Sequence, residues 1–264
     1  MATVFITGGS SGIGKELAKL FARKGYDLVL LSKNMENLKA AKREIEEKFS
    51  VNCTLIQCDL RNRDDIYRRD IAKIMEEAIP HILINCAGAG KISKTVLLSL
   101  EEEEKMLNLN LISPIILSRI FLDIFLKKKK GNAKGAIINI CSMASIYPHP
   151  YLAGYSGSKA GLLFYSLSLN EELRREKSEI SVFSICPGTV STNFFHETTK
   201  KKFGWMSRYS MSPERAAVEI VKSFEKNKTF TIIGRENRIM FKLLGLFPIM
   251  TRIRILGKIL GKGI

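Results

Sequence analysis

Short apolar runs alternate with longer segments of helical period along almost the whole chain. Seven runs rich in Val, Ile and Leu are bounded by Gly, Pro, Asn or Asp, at residues 2–7, 28–31, 53–57, 82–85, 136–140, 182–186 and 230–233. Several are apolar throughout, which is typical of strands buried on both faces. Helices are predicted between them, at residues 14–24, 35–49, 64–79, 100–129, 155–177 and 213–226. This alternation predicts an α/β fold, a doubly wound parallel sheet with helices on both faces.

The chain is long enough for one large core. It has 264 residues, of which 45% are hydrophobic, and no stretch resembles a linker between two cores. We therefore expect one domain over residues 1–233. Residues 189–211 and the extension 234–264 lie outside the alternation. Pro114 falls inside the fourth predicted helix and should kink or split it.

A glycine-rich turn follows the first predicted strand directly. The sequence TGGSSGIG spans residues 7–14, and a helix is predicted immediately after it. Glycines at such a turn let backbone amides and the positive end of the helix approach a pyrophosphate. Ser10 and Ser11 can add hydroxyl donors. In an alternating α/β chain, this placement predicts a dinucleotide site.

The end of the second predicted strand indicates which dinucleotide binds. A site for NAD usually carries an acidic residue there, whereas NADP needs a cation near its 2′-phosphate. Here the strand ends in Ser32-Lys33-Asn34, and the first acidic residue is Glu36. Lys33 therefore predicts NADP, or NADPH in its reduced form, as the cofactor.

Tyr155 and Lys159 open the fifth predicted helix. Residues four apart lie on one face of a helix, so the phenol and the ammonium can point into one site. A cation about 4 Å from a phenol favours the phenolate, and we expect Lys159 to lower the pKa of Tyr155 from its usual value near ~10. Taken alone, the pair is equally consistent with an ordinary contact on the surface of a helix.

These motifs resemble those of the short-chain dehydrogenase/reductase family, and the likeness covers residues 2–233. The TGxxxGxG turn and the YxxxK pair are intact. Further matches are the acidic Asp59 with Leu60 after the third strand, the Asn85, Ala87 and Gly88 stretch after the fourth, Asn110, Ser142 and the Pro-Gly-Thr stretch at residues 187–192. Cys86, Cys141 and Ser113 replace residues common in the family, and none of these changes removes a catalytic group.

The resemblance implies a Rossmann-like catalytic domain and gives its residues roles. Ser142 would hold the substrate carbonyl and stabilise its charge, and Tyr155 would exchange a proton with its oxygen. Lys159 would lower the pKa of Tyr155 and bind the nicotinamide ribose, and Asn110 would hold a water that connects Lys159 to solvent. The predicted cofactor contacts are Thr7, Gly8, Ser10, Ser11, Gly12, Ile13, Gly14, Ser32, Lys33, Asn34, Asp59, Leu60, Asn85, Ala87, Gly88, Tyr155, Lys159, Pro187, Gly188, Val190 and Thr192.

Residues 189–211 hold aromatic side chains among polar and basic ones. We interpret this segment as an apolar lid over the substrate, with Phe194 and Phe195 joining Ser142 and Tyr155 as substrate contacts. Packing of these aromatics in the core is the alternative. A lid of this kind favours a lipophilic carbonyl substrate, such as a 3-oxoacyl chain, a steroid or another long-chain ketone or aldehyde.

The extension 234–264 is basic and apolar. Six cations and no acidic residue follow Glu236, and Pro248 is predicted to divide residues 238–264 into two short helices. Such helices suit peripheral contact with an anionic membrane surface. Docking across the substrate opening or against a neighbouring subunit is the alternative. The longest charge-free run of the extension, residues 243–251, is too short to span a bilayer.

Charge and cysteine content suggest where the protein acts. The net charge is +16 and the pI is about 9.7, but no nucleic-acid module accompanies this charge, so we expect no specific nucleic-acid partner. Five cysteines, mostly within apolar runs and without a Cys-x-x-Cys pair, are interpreted as reduced core residues rather than metal ligands. With no signal peptide predicted, we expect a cytoplasmic protein, peripheral at a membrane if the extension binds lipid.

An NADPH-dependent carbonyl reductase is the leading functional hypothesis. The resemblance further implies a homodimer or homotetramer that pairs through the helices predicted at 100–129 and 155–177. A membrane-surface module that binds NADPH without turnover is the alternative. The longer sugar epimerases and dehydratases share the Tyr-Lys pair but differ in glycine spacing and have a separate sugar-binding region.

Overall fold

A seven-stranded parallel sheet lies at the centre of this computed structural model, which describes residues 2–128, 134–192 and 210–261. The sheet has the strand order β3-β2-β1-β4-β5-β6-β7. Its strands are β1 (Thr3–Thr7), β2 (Asp27–Ser32), β3 (Cys53–Gln57), β4 (Ile82–Asn85), β5 (Gly135–Ile140), β6 (Ile180–Cys186) and β7 (Phe230–Ile232). The predicted doubly wound parallel sheet is confirmed. Its order reverses between β1 and β4, where such sheets bind ligands at the carboxyl ends of their strands.

Helices cover both faces of the sheet. They are α1 (Gly12–Arg23), α2 (Met35–Glu46), α3 (Arg63–Arg68), α4 (Ile71–Ala78), α5 (Leu100–Leu107), α6 (Ser113–Lys128), α7 (Ala153–Arg175), α8 (Pro213–Glu225), α9 (Arg235–Gly245) and α10 (Ile249–Gly261). Alternate residues of a strand point to opposite faces. Phe5 therefore joins a core layer with Phe121 of α6, while Ile6 joins the opposite layer with Leu17 of α1 and Ile220 of α8.

Two predicted helices are interrupted. The one predicted at 64–79 is split between α3 and α4, where Asp70 adopts a left-handed conformation with φ 47° and accepts a hydrogen bond from the Lys73 amide. Asp tolerates this conformation better than most residues. The helix predicted at 100–129 is broken by a π-helical turn at Asn108–Ile112, directly before Pro114. The helical backbone continues through this turn into α6, and Pro114, which has no N–H to donate, follows the turn closely.

The stretch Leu100–Lys128 is also long and apolar enough, by length and composition, to cross a membrane. In the described part of the chain, however, 44% of its most apolar window is buried inside the protein. Leu117, Phe121 and Phe125 of α6 pack in the layer beneath the sheet. This packing in the core accounts for the apolar composition of Leu100–Lys128.

Two segments lie outside the alternation of strands and helices. Residues 193–209 of the predicted lid, with Phe194 and Phe195, lie outside the described residues. The flanks of this segment meet in a parallel bridge between Val190 and Met211. The extension contains the helices α9 and α10, with Pro248 between them. Leu244, Leu256 and Leu260 on these helices are buried against the rest of the chain.

Candidate active site

The turn between β1 and α1 has the shape of a phosphate cradle. Gly8 and Gly12 have positive φ angles of 69° and 53°, which L side chains rarely adopt. A Cβ atom at Gly14 would lie only 2.3 Å from the carbonyl oxygen of Gly8. Among the described residues, no side chain caps α1 at Ser11, and its first turn carries no acidic residue. The positive end of α1 is therefore open to an anion.

A cavity of about 400 Å³ extends from this turn. The cavity lies at the carboxyl ends of β1, β2, β3 and β4. In its lining, the hydroxyl of Ser10 donates to that of Ser32 at 2.8 Å. The predicted cofactor residues that line it are Gly8, Ser10, Ser11, Gly12, Ile13, Gly14, Ser32, Lys33, Asp59, Leu60, Ala87, Gly88 and Thr192. Glycine, hydroxyl and cationic groups thus follow one another in the order that a dinucleotide phosphate chain requires.

Other predicted cofactor residues lie outside this lining. Thr7 accepts hydrogen bonds from the amides of Cys86 and Ala87, and so ties β1 to the segment after β4. The Asn34 side chain caps α2 by accepting from the Asn37 amide. Asn85 is buried and donates to Asn139 and Ser118 within the core. These three side chains support the cradle from behind, and their cofactor contacts stay predictions.

Pro187, Gly188 and Val190 follow β6 on the other side of the site. The Pro187 carbonyl accepts a hydrogen bond from the Met143 amide at 2.9 Å, which joins this segment to the one that carries Ser142. A Cβ at Gly188 would lie 2.3 Å from Oδ1 of Asn237 on α9. The extension is therefore in direct contact with this segment.

Arg61 is a cavity residue that the sequence did not single out. Its guanidinium donates from Nε to both oxygens of Asp59, at 2.9 and 3.1 Å. Hydrogen bonding to Arg61 lowers the pKa of Asp59, and the same contact raises the pKa of Arg61. Asp59 therefore balances the charge of Arg61, and Lys33 adds a second cation at this end of the cavity. The one available signal was the position of Arg61 two residues after the matched Asp59, which does not by itself distinguish it from a surface arginine.

Ser142 begins a short helical turn at Met143–Ser145 that directly follows β5. Its hydroxyl oxygen accepts from the Ala144 amide at 3.1 Å, and the Ser145 hydroxyl accepts from the Ser142 amide at 3.0 Å. This reciprocal capping fixes the rotamer of Ser142 and leaves its hydrogen available for donation. The same hydroxyl is hydrogen-bonded to Tyr155.

Tyr155 and Lys159 are both buried on α7. Lys159 Nζ donates to the Ile140 carbonyl at 2.8 Å, so the side chain reaches the end of β5 beside Ser142. Burial lowers the pKa of Lys159. Burial also raises the pKa of Tyr155 to about 12, with the Ser142 hydrogen bond opposing it. The lowered Tyr155 pKa expected from Lys159 was therefore wrong for the site as it stands, because desolvation outweighs any attraction from the lysine.

Asn110 lies in the π-helical turn and is fully buried. Its side chain exchanges hydrogen bonds with the backbone of Ala89, accepting at 3.0 Å and donating at 2.8 Å, and also donates to Ser158 at 3.2 Å. Ser158 in turn donates to the Tyr155 carbonyl at 2.7 Å. Asn110 therefore links the cavity lining to the turn of α7 that carries Tyr155. π-Helical turns occur often at functional sites.

Three cysteines surround Lys159. The thiols of Cys141 and Cys186 are hydrogen-bonded to each other at the ends of β5 and β6, and burial raises the pKa of Cys86 to about 12. The raised pKa values of Cys86 and Cys186 keep these two thiols neutral at physiological pH. Burial lowers the pKa of Lys159, and the three neighbouring cysteines oppose this effect.

The arrangement fits a hydride-transfer cofactor. The cradle, the open end of α1 and Lys33 match a dinucleotide that carries an additional phosphate, and the cavity reaches Ala89, which Asn110 and Ser158 connect to the turn of α7 that carries Tyr155. A nicotinamide cofactor bound there would supply hydride. Ser142 and Tyr155 can both donate to one oxygen atom, and Tyr155 is protonated at neutral pH. The site can therefore deliver a proton to a carbonyl oxygen as negative charge develops on it.

The chain is similar in sequence to known dehydrogenases and reductases. The family model described as "short chain dehydrogenase" matches residues 2–202. The very-long-chain 3-oxoacyl-CoA reductase of Anas platyrhynchos is 33% identical over 195 residues, which are 72% of this chain and 60% of that protein. The protein of the same name from Bos taurus is 32% identical over 191 residues, 71% of this chain and 59% of that protein. This chain thus spans about 60% of the length of these relatives.

Solved structures have the same architecture. A short-chain dehydrogenase from Sphingobium yanoikuyae in complex with NADPH has a TM-score of 0.79 and 27% identity, and the match covers 93% of this chain and 92% of that one. A 7β-hydroxysteroid dehydrogenase has a TM-score of 0.81 over 97% and 96% of the two chains, but only 21% identity, which supports the fold alone. By its family model and its relatives, the chain belongs to the short chain dehydrogenase family.

Proposed function

We propose that this protein is an NADPH-dependent reductase of lipophilic ketones, with 3-oxoacyl thioesters as the leading substrate class. The observation that carries the proposal is the hydrogen-bonded Ser142–Tyr155 pair, with Lys159 and Asn110 beside it, next to a cavity that carries Lys33 and Arg61. The names of the relatives, which include very-long-chain 3-oxoacyl-CoA reductases, support the substrate class. The Sphingobium structure, which holds NADPH, supports the cofactor.

The protein's own residues act on the carbonyl oxygen. Ser142 donates a hydrogen bond to it and is held in place by the Ala144 amide. Tyr155 transfers its phenolic proton to the oxygen as charge accumulates there. The raised pKa keeps Tyr155 protonated at neutral pH, so the proton that reduction requires is present. Lys159 lies behind Tyr155 and would return a proton to it between turnovers, through a water held by Asn110.

The test is turnover of NADPH with a series of lipophilic ketones. Tyr155→Phe should lower kcat by about 10²–10⁴-fold, the usual contribution of a general acid, with little change in the Kd of NADPH. Tyr165→Phe, on the same helix but outside the site, is the matched control and should retain activity. Full turnover by Tyr155→Phe would contradict the assigned role. NADPH binding without turnover by the wild type would favour the alternative of a binding module.

The chain further carries a surface suited to an anionic membrane. Exposed apolar residues cluster around the α9–α10 connection, with Leu246 79% exposed, and the others are Leu243, Phe247, Ile249 and Met250. The cations of the extension are not balanced by any acidic residue after Glu236. Apolar side chains with surrounding positive charge are the combination that binds a lipid surface. We infer a cytoplasmic protein that contacts the membrane through 238–264, an extension packed on the catalytic domain 1–233.

Vesicle co-sedimentation tests this contact. Wild-type protein should sediment with phosphatidylglycerol vesicles and much less with phosphatidylcholine vesicles, and Leu246→Glu should weaken the binding. Val96→Glu places the same charge at a comparably exposed apolar residue elsewhere, 88% exposed in the wild type, and serves as the control. Equal binding by the two variants would contradict a docking role for the extension.

A homodimer or homotetramer accounts for a second exposed apolar face. Phe164, which is 67% exposed, and Leu167 lie on α7, and Leu126 lies on the neighbouring α6. Pairing of these helices between subunits would bury them. Light scattering should give at least twice the monomer mass for the wild type and a monomer for Phe164→Glu. Tyr67→Glu on α3 is the control, and a monomeric wild type would refute pairing.

A further inference from the structure

The extension packs against the segment that joins Ser142 to Tyr155. The hydroxyl of Tyr147 donates to the Phe241 carbonyl of α9 at 2.9 Å, and the two rings are stacked with centroids 5.9 Å apart. From α10, the Arg252 guanidinium lies 5.2 Å from the centroid of the Tyr147 ring. Both helices of the extension therefore contact Tyr147. In the sequence, Tyr147 lies between Ser142 and Tyr155, the two residues whose hydroxyls act on the carbonyl.

Two glycines bring α10 close to the end of this segment. A Cβ at Gly257 would lie 3.2 Å from Pro150, and one at Gly261 would lie 3.2 Å from the Tyr151 ring. Both distances are tighter than ordinary van der Waals contacts. The helix backbone thus lies directly on residues 150–151. This approach determines where the intervening side chain, Leu260, is placed.

Leu260 is 4% exposed and belongs to a small apolar cluster that includes Tyr155. The other buried members are Ile92, Met106, Ala144 and Leu152. Ala144 follows Ser142 by two residues, and Leu152 precedes Tyr155 by three. The cluster therefore lies against both halves of the hydroxyl pair.

The cluster is distinct from the dinucleotide cavity. None of its six members is among the described residues that line the dinucleotide cavity, which ends near Ala89. Ser142 and Tyr155 would hold the oxygen of the substrate carbonyl, and its carbon would face the dinucleotide cavity. The two substituents on that carbon must then point away from the cavity. The apolar cluster offers a suitable surface for one of them, because it is lined by aliphatic side chains.

We propose that Leu260 is a specificity-determining residue, which limits the length of the apolar substituent on the carbonyl substrate. The proposal rests on the function proposed above and deepens it. Leu260 packs in the apolar cluster that contains Tyr155, on a helix anchored through Tyr147, Gly257 and Gly261. The extension thus contributes a wall of the substrate site in addition to any contact with a membrane.

The experiment compares variants over a series of 3-oxoacyl thioesters of increasing chain length with NADPH. Leu260→Ala should raise the ratio of kcat/KM for long chains to that for short chains by about ten-fold or more, since one methylene in an apolar pocket is worth about that factor. Leu260→Phe should shift the ratio the other way. Val218→Ala, at an exposed apolar residue of α8 outside the extension, should leave it unchanged.

Further measurements separate specificity from stability and from the proposed function. Leu260→Val removes less volume and should shift the ratio in the same direction, which covers the case of an unfolded Leu260→Ala. The affinity of each variant for 3-hydroxyacyl thioesters in the presence of NADP should show the same dependence on chain length. If the wild type binds these compounds without turnover, the proposed function fails, while their chain-length dependence still decides the role of Leu260. Equal losses at every chain length, or no change at all, would overturn the proposal.

Discussion

A methyl group added at Gly14 would collide with the backbone of the cradle. The Cβ of Gly14→Ala would lie 2.3 Å from the oxygen and 2.8 Å from the carbon of the Gly8 carbonyl. Gly8 cannot turn away easily, because its φ of 69° is set by the turn and its amide donates to the Leu31 carbonyl at 2.8 Å. The first turn of α1 must therefore move instead.

The size of this effect follows from the distances. Ordinary contacts begin at 3.4 Å, so α1 and Gly8 must separate by about 1 Å, an overpacking strain that typically costs about 1–3 kcal/mol of unfolding free energy. For a domain of this size each kcal/mol lowers Tm by about 2–4 °C. The same shift carries the amides of α1 away from the phosphate position, so the Kd of NADPH should rise as well.

Gly157→Ala is the matched control, because it makes the same chemical change with the opposite expected sign. Gly157 is exposed in the interior of α7, and among the described residues nothing lies within 4 Å of the added Cβ. Alanine there should raise the unfolding free energy by about 0.5–1 kcal/mol through helix propensity. Urea unfolding and calorimetric titration with NADPH measure both effects. A Gly14→Ala protein with wild-type stability and wild-type Kd would refute the close packing of α1 on Gly8.

Three further predictions concern charge. Because the raised pKa keeps Tyr155 protonated, kcat/KM for ketone reduction should stay level between about pH 7 and 10, and a steep fall near pH 8 would contradict this. Lys33→Ala should weaken NADPH binding by roughly 10–100-fold, the value of a charge-assisted contact, and leave NADH unaffected in a direct titration. Hydrogen bonds from Lys19 and Lys15 lower the pKa of Glu44 to about 2. Their contribution to stability is present above the usual pKa of 4.5 and is lost as the pH falls toward about 2. At neutral pH Glu44→Gln should therefore lower the unfolding free energy by less than about 1 kcal/mol, and in acid unfolding its deficit should disappear toward about pH 2.

The parts of the site that the sequence predicted are those specified by short-range patterns. The cradle depends on glycines within eight residues, and the placement of Tyr155 beside Lys159 depends on one helical turn. The strands at 53–57 and 82–85 were predicted at their observed bounds, because their apolar runs end at Asn, Pro or Asp residues. In each case the determining contacts are between residues close in the sequence, so they can be predicted from the residue order.

Other features depend on burial and on contacts between distant parts of the chain. The raised pKa of Tyr155 follows from its desolvation among elements that meet only in the folded protein, so the spacing of Tyr155 and Lys159 could not give its sign. Arg61 was missed because its role follows from where β3 ends in relation to the cavity. The π-helical turn that carries Asn110 was expected only as a disturbance near Pro114.

The extension can have both of the roles that the sequence left as alternatives. Membrane contact and docking on the protein exclude each other only if the extension has one apolar face. Leu244 of α9 and Leu256 of α10 are buried against the segment around Tyr147, while Leu243 of α9 and Leu246 in the connection remain exposed. The helices therefore have apolar groups on two faces, one toward the catalytic segment and one toward solvent. A membrane bound at the outer face would leave the inner contacts of Leu260 in place, so lipid binding and chain-length specificity should be lost separately, in Leu246→Glu and Leu260→Ala respectively.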